Sequence, residues 1–475
     1  MNDDKKVAIE WIEKNKERII EISNKIWEYA ELGFVEYKSS KLIASELESN
    51  GFNVELGVAE IPTAFVATWG KGKPVIGVMG EYDALPGLSQ KAVPYKEPIM
   101  ENGPGHGCGH NIHGTSGMGG ALAAKAAMEK AGITGTLKFF GCPAEEMLSG
   151  KAWMVMAGIF EGIDACLSHH CSSMNVAGLS SSNANNAAKF HFYGKTSHAA
   201  GSPEQGRSAL DAVELMNVGV NFLREHVIQD ARIHYVIEDG GGQPNVVPGY
   251  ARSWYLVRAP ERDQLEPIYD RIVDIAKGAA LMTGTKLKVE FIKGIYNKIP
   301  SRTLSDVVHS NMKEIGAPEY DEDDMRFAKE ISKHIFPEDK IESLRKSKRP
   351  DWEELKNVLI DRTIPEVWNE GQISHGSTDV SCVSWQTPTM EFGTATYVLG
   401  TPGHSWMNVA MSGMSIGHKS LIFASKIIAT SAIDLLTMPD ILKSAGDELK
   451  KRKRGRIYKS PIPSDLNPPL DQYKK

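Results

Sequence analysis

The run VIGVMGEYDALPG, Val75 to Gly87, passes from a continuous apolar segment into a loop that carries Glu81 and Asp83. A short apolar run bounded by turn residues reads as a strand buried on both faces. Two later segments repeat the design. TLKFFGCPAEEM (136–147) ends in Glu145 and Glu146, and DACLSHHCSS (164–173) ends in His169 and His170. Between such strands lie helical patterns, an Ala/Gly/Met-rich one over 115–131 and a shorter one near 150–157. Strands alternating with helices predict an α/β fold: a central sheet, mixed in direction, covered by helices. In open α/β sheets, ligands bind beyond the carboxyl ends of the strands, where these acids and histidines fall.

Working outward, helical spacing covers 5–32 and 38–49, and a further strand reads at AFVATWG (64–70). The character changes at 183. NAAKFHFYG (186–194) reads as an edge strand. A helix over 208–225, the strands RIHYVIEDG and SWYLVRAP, a helix over 262–280 and the strand KLKVEFI follow. That order describes a compact α+β insert. The chain is therefore divided into a discontinuous catalytic domain (1–183 and 299–448), an inserted domain (184–298) and a basic, Pro-rich tail (449–475) read as a solvated terminus.

Bulk properties narrow the function. At 475 residues the chain exceeds one ordinary core. Its 41% hydrophobic and 24% charged residues are those of a water-soluble protein, and a net charge of -6 argues against general nucleic-acid binding. The charged, amphipathic N-terminus has no apolar h-region and no run of 18 apolar residues occurs, so neither a signal peptide nor a membrane span is expected. Five cysteines, odd and sparse, do not form a disulfide framework, and a reduced, cytoplasmic protein is expected.

The stretch GPGHGCGHNIHG (103–114) supplies Cys108 and His110. Spaced i,i+2 in extended backbone, they face the same way. Thiolate with imidazole suits zinc. A cysteine nucleophile activated by the flanking histidines is the weaker alternative. Of neighbouring Glu145 and Glu146, one can bind a metal while the other takes the proton of a water, the division hydrolysis needs. His404 in YVLGTPGHSW and His198 in GKTSHAAG are weak signals singly. Asp379 in HGSTDVSCVSW supports a ligand or caps a helix.

The ordered set DALPG, GCGHN, PAEE, HH, GKTSHAAG, QPNVV and GTPGHSW resembles the two-metal amidohydrolase branch of the metallopeptidase superfamily, which includes glutamate carboxypeptidase, aminoacylases and bacterial dipeptidases. The likeness runs from about residue 10 to 440. It implies a metal-dependent amidohydrolase that cleaves N-acyl amino acids, such as aminobenzoyl-glutamate or aromatic N-acyl amino acids. A dipeptidase or aminopeptidase with the same centre, or a non-catalytic partner subunit, is the alternative. It further implies two divalent ions per chain, zinc or manganese, held by Cys108, His110, Glu146, His170 and His404. Glu145 is then general base and general acid, and Asp83 supports the metal site. His198 reaches the partner subunit's active site, and Asn245 and Arg258 recognise the substrate's carbonyl and carboxylate. The ferredoxin-like insert acts as lid and homodimer interface, with a hetero-oligomer as the variant arrangement. Three departures stand out: Asn111 where relatives carry aspartate, Glu81 where the carboxypeptidase branch has histidine, and the charged segment 320–365, read as a helical surface insertion.

Overall fold

The computed structural model describes residues 1–374 and 376–472. Its larger sheet has the order β1-β2-β4-β3-β5-β12. The strands are β1 (Asn53–Leu56), β2 (Phe65–Lys71), β3 (Val75–Glu81), β4 (Gly135–Cys142), β5 (Ala165–Ser172) and β12 (Thr389–Ala395). β1, β2 and β4 pair antiparallel, whereas β4, β3, β5 and β12 run parallel. The carboxyl ends of the four parallel strands therefore lie on one rim, and each releases a loop bearing a metal-binding or acidic side chain.

Helices cover both faces. On one, α1 (Asp3–Tyr29), α2 (Tyr37–Ser49), α3 (His110–Ala131) and α13 (Ser415–Thr437) bury a continuous core that includes Ile12, Ile43, Leu122 and Ile428. α13 is long and apolar enough to cross a membrane by length and composition, but 89% of that window is buried inside the protein. On the other face, Met79, Phe140, Trp153 and Val383 pack beneath α5 (Gly150–Met156) and α11 (Val380–Ser384). α3 lies against β3 so closely that a Cβ on Gly114 would sit 2.4 Å from the Glu81 carbonyl oxygen. A side chain there would push the helix, with its histidine, off the sheet.

α3 begins at His110, five residues before the helix read from sequence. Gly109, with φ 75°, turns the chain between Cys108 and His110. The two side chains thus converge through a left-handed turn rather than along an extended strand, a conformation glycine adopts without a Cβ penalty.

The second sheet, β10-β7-β9-β8, comprises β7 (Ala184–Tyr193), β8 (Arg232–Asp239), β9 (Tyr250–Ala259) and β10 (Lys286–Ile295), all antiparallel. α6 (Ala209–Leu223) and α7 (Arg262–Thr283) pack on one side over Phe190, Phe192 and Tyr255. β7 is an interior strand, not the edge strand expected; the edges are β10 and β8. Its apolar Ala184, Ala188, Phe190 and Phe192 face the helices, while polar residues on the opposite side disguised it. A parallel ladder of β6 (Ser181–Ser182) and β11 (Ile373–Ser374) completes the pairing.

Two further expectations are corrected. The tail does not lie loose in solvent. α14 (Pro439–Lys453) runs into it, Arg456 pairs with Glu261 at 2.8 Å, and Ile462 is 3% exposed against the core that holds Ile295. Apolar Tyr458, Ile462, Leu466 and Leu470, spaced among the prolines, supply the buried face; residues 473–475 lie outside the described residues. Segment 320–365 is more than a surface insertion. After α8 (Arg302–Ile315) it forms α9 (Glu322–Ser332) and α10 (Pro337–Lys346). It buries Arg349 completely, paired with Asp361 at 2.5 Å and Asp351 at 2.7 Å.

Candidate metal centre and active site

At the rim, α4 (Glu145–Leu148) follows β4, and α12 (Trp406–Ser412) follows the loop after β12. Cys108, His110 and His170 place one donor atom each within 4.8 Å of one another; so do Cys108, Glu146 and His404. The two groups share the Cys108 sulfur. A third group joins His110 to Glu145 and Glu146. Tetrahedral ligands to zinc stand about 3.3–3.8 Å apart, so modest tightening brings each trio to coordination distance.

The ring orientations suit this. His110 Nδ1 lies 2.8 Å from Asp83 Oδ1, which fixes the proton there and leaves Nε2 as the donor. His170 Nδ1 donates to the Cys171 carbonyl at 2.8 Å, and its Nε2 faces Cys108 Sγ at 3.4 Å. Asp83 Oδ2 accepts from the Glu146 backbone N–H at 3.0 Å, so one carboxylate positions both a histidine and a glutamate. His404, on a left-handed residue with φ 51°, approaches Glu146 at 3.5 Å and is 56% exposed on its side chain. It closes the cluster from the solvent side.

His169 and His170 point to opposite faces of β5, as alternation requires. His169 bonds Ser116 and Thr394 in the core, away from the cluster. His106 holds the Ile26 carbonyl, and His113 lies between the Glu81 N–H and Ser168. Asn111 ties α3 to Ser23 and to the Ser412 carbonyl. It packs helices rather than facing the donors.

The electrostatics favour a cation. Burial alone would raise the Cys108 thiol, but His170, His110 and His404 outweigh it and hold it well below its ordinary value. Burial would lower His110, yet Asp83 and Glu81 hold it well above the usual imidazole range. Burial, then Glu81 and Asp379, pushes Glu145 up to about 8, and burial with Cys108 beside it drives Glu146 well up. Glu146 Oε1 is buried without a hydrogen-bond partner, and His110 Nε2 makes no hydrogen bond although the Glu81 carboxylate lies beside it. Such groups are costly unless a ligand satisfies them, and a divalent ion does so for all at once.

Behind the donors lies a buried ion network. Lys151 Nζ sits 2.5 Å from Glu81 Oε1 and 2.6 Å from Asp379 Oδ1, and Glu81 Oε2 is 3.2 Å from His110 Nε2. Asp379 does not cap its own helix with its side chain; it takes the Lys151 N–H at 2.8 Å instead. Glu36 is a second buried support. It accepts from the Ala144 N–H at 2.8 Å and from Thr63 at 2.9 Å, holding the left-handed turn at Ala144 (φ 57°) that aims Glu145 and Glu146. Sequence reading missed Glu36 and Lys151. A lysine inside the otherwise apolar GKAWMVM was the available signal for the latter.

A cavity of about 370 Å3 opens over the donors, walled on its far side by the second sheet through Asn185, Arg258, Lys293 and Ile295. An adjoining apolar cleft of about 440 Å3, with Leu85, Met147, Tyr235, Trp254 and Leu256, shares Glu146, Arg258, Lys293 and His404 with it. Arg258 thus reaches the site. Asn245 and His198 do not line the cavity of their own chain. They are neighbours in two exposed loops, one after β7 and one between β8 and β9, where Ala199 N–H bonds the Asn245 carbonyl and His198 pairs with Val246.

Residues 77–406 match peptidase family M20/M25/M40. The chain belongs to this family. It is therefore a hydrolase. It is 39% identical to one of the subunits of the p-aminobenzoyl-glutamate hydrolase of Escherichia coli, over 96% of this chain and 97% of that one. It is 32% identical to the Xaa-Arg dipeptidase of Mus musculus over 67% of this chain and 73% of that one. Among solved structures, a Bacillus subtilis protein described as a dinuclear metal-binding M20 peptidase superposes with a TM-score of 0.57 at 18% identity, covering 89% of this chain and 99% of its own. That likeness bears on the fold: an M20 α/β domain carrying a second, smaller sheet.

Proposed function

We propose that this M20 protein is a metal-dependent amidohydrolase that cleaves the amide bond of N-acyl amino acids, with aromatic acyl groups among its substrates. The observation that carries this reading is the convergence of the two donor trios with Glu145 under a cavity reached by Arg258. Cys108, His110 and His170 would hold one divalent ion, and Cys108, Glu146 and His404 the other, zinc or manganese. Bound ions would acidify water and polarise the amide carbonyl.

The chain's own residues do the rest. Glu145 takes a proton from the attacking water and returns it to the leaving amine; its raised proton affinity matches a group that must do both near neutral pH. Asp83 keeps His110 in the tautomer that presents Nε2. Arg258 holds the α-carboxylate of the amino-acid half, and the apolar cleft with Tyr235 and Trp254 receives the acyl half. His198 and Asn245 serve the site of a second protomer, where His198 stabilises the carbonyl oxygen as it gains charge. The edge strand β8, with Val236 and Ile237 exposed, and the apolar Val218 and Phe222 on α6 offer a surface for that association through the lid. The Escherichia coli relative is named as a subunit, which makes a hetero-oligomer the alternative assembly.

The test is hydrolysis of a panel of N-acyl amino acids and unblocked dipeptides by zinc- or manganese-loaded protein. Cleavage of blocked substrates is expected, and Glu145→Gln should lower kcat by about 10²–10⁴ with metal content unchanged. Cleavage of free dipeptides alone would favour a dipeptidase, the activity named for the mouse relative. Cleavage of neither, or an active Glu145→Gln protein, would refute the proposal.

A further inference from the structure

β7 carries two adjacent asparagines near its start, Asn185 and Asn186, although asparagine is depleted in strands. Successive residues of a strand point to opposite faces. Asn186, on the helix side, has a partner: its Oδ1 accepts from Arg262 Nη1 at 2.6 Å. Asn185 faces the other way, into the cavity over the donors. Among the described residues its Oδ1 is buried without a hydrogen-bond partner, and the residue is only 2% exposed. A buried acceptor left unpaired costs folding free energy, and it is kept where a ligand satisfies it.

The register shows what stands beside it. Asn185 lies between Arg258 on β9 and Ile295 on β10. Directly opposed residues share a sheet face, and all three line the cavity. Ile295 has no side-chain hydrogen to donate, and Arg258 Nη1 donates to Ser377 Oγ at 3.3 Å. The acceptor therefore waits for a donor from within the cavity. An N-acyl amino acid held by its carboxylate on Arg258 has no proton on its carboxylate or its acyl carbonyl oxygen. Its scissile amide does carry one, on a nitrogen separated from the carboxylate by a single carbon.

We propose that Asn185 is a substrate-positioning residue whose Oδ1 accepts the N–H of the scissile amide. This rests on the N-acyl amino acid reading above. Asn185 holds that hydrogen from the second sheet, across the cavity from Glu145. The nitrogen lone pair that develops as the carbonyl carbon is attacked is then turned toward Glu145, the group that protonates it. An ester has an oxygen in place of the N–H and offers this acceptor nothing.

The experiment compares N-benzoyl-glutamate, or whichever N-benzoyl amino acid the panel above shows to be cleaved fastest, with the ester in which an oxygen replaces its N–H. Both are given to the metal-loaded wild type, Asn185→Leu and Asn185→Asp. Asn185→Leu should lose at least about tenfold more kcat/KM on the amide than on the ester. It should melt no lower than the wild type, because leucine removes an unpaired buried acceptor. Asn185→Asp keeps an acceptor in place and should keep most of the amide's advantage, even where its charge lowers both rates. Equal losses on amide and ester would mark Asn185 as structural, acting through Arg258 or the sheet, and overturn the assignment. Undiminished amide cleavage by Asn185→Leu, or an Asn185→Asp protein that behaves like Asn185→Leu, would overturn it as well. These three results leave the amidohydrolase reading standing, whereas a wild type that cleaves no N-acyl amino acid overturns both.

Discussion

Replacing Lys151 by methionine removes the cation that bridges two buried carboxylates, Glu81 and Asp379. Its side chain is fully buried, and its ammonium contacts Glu81 and Asp379 at 2.5 and 2.6 Å. Removing one partner of a buried ion pair costs about 3–5 kcal/mol, because the remaining charge is left uncompensated. At about 2 °C per kcal/mol for a domain of this size, the melting temperature should fall by roughly 6–10 °C. The double variant Lys151→Met/Asp379→Asn should recover part of that loss, since one stranded carboxylate disappears with its charge. The catalytic readout has a defined sign. Lys151 lies close enough to lower the pKa of Glu145, which burial, Glu81 and Asp379 raise to about 8. Without Lys151 the proton is held more tightly, and the acid limb of the pH–rate profile should move to higher pH. Differential scanning calorimetry and a kcat/KM profile from about pH 5 to 10 check the two effects. A fall below about 2 °C together with an unmoved acid limb would refute the view that Lys151 neutralises the support behind His110.

Two other outcomes are expected. In metal-free protein, iodoacetamide should label Cys108 at about pH 6, where an ordinary thiol of pKa about 8.5 is mostly protonated, and added zinc should protect it. Mass spectrometry locates the adduct, and unprotected labelling in loaded protein would rule out sulfur ligation. Mixing inactive Glu145→Gln and His198→Ala protomers should restore about a quarter of wild-type activity, because half of randomly formed dimers are mixed and each mixed dimer has one complete site. No recovery after exchange of protomers would place His198 outside the neighbouring site.

The strands that build the rim were legible because burial on both faces leaves unbroken apolar runs, as in Val75–Met79. Glu146, His170 and His404 were legible because each ends or follows an apolar run within a few residues, and Cys108 and His110 because they stand together in a glycine-rich stretch. The start of α3 was not. It has no capping side chain, only Gly109 in a left-handed turn, and a glycine-rich loop flows into it without a stop signal. β7 was misjudged as an edge because its polar face looks solvent-directed in isolation, yet β10 and β9 flank it. The supports were hidden for a different reason. Lys151 meets Asp379 across 228 positions and Glu36 meets Ala144 across 108, so no local pattern announces either pair.

The single sulfur common to both donor trios also sets how the protein would fail. Nitrogen and carboxylate donors resist oxidation, whereas a thiolate passes through sulfenic acid to irreversible sulfinic and sulfonic acids. The other four cysteines are buried, and burial pushes each of their thiols up, Cys382 to about 11 and Cys171 to about 12. Peroxide would therefore strike one atom first, and that atom anchors both halves of the centre. Damage at Cys108 would disarm the molecule in one event while the fold around it stayed intact.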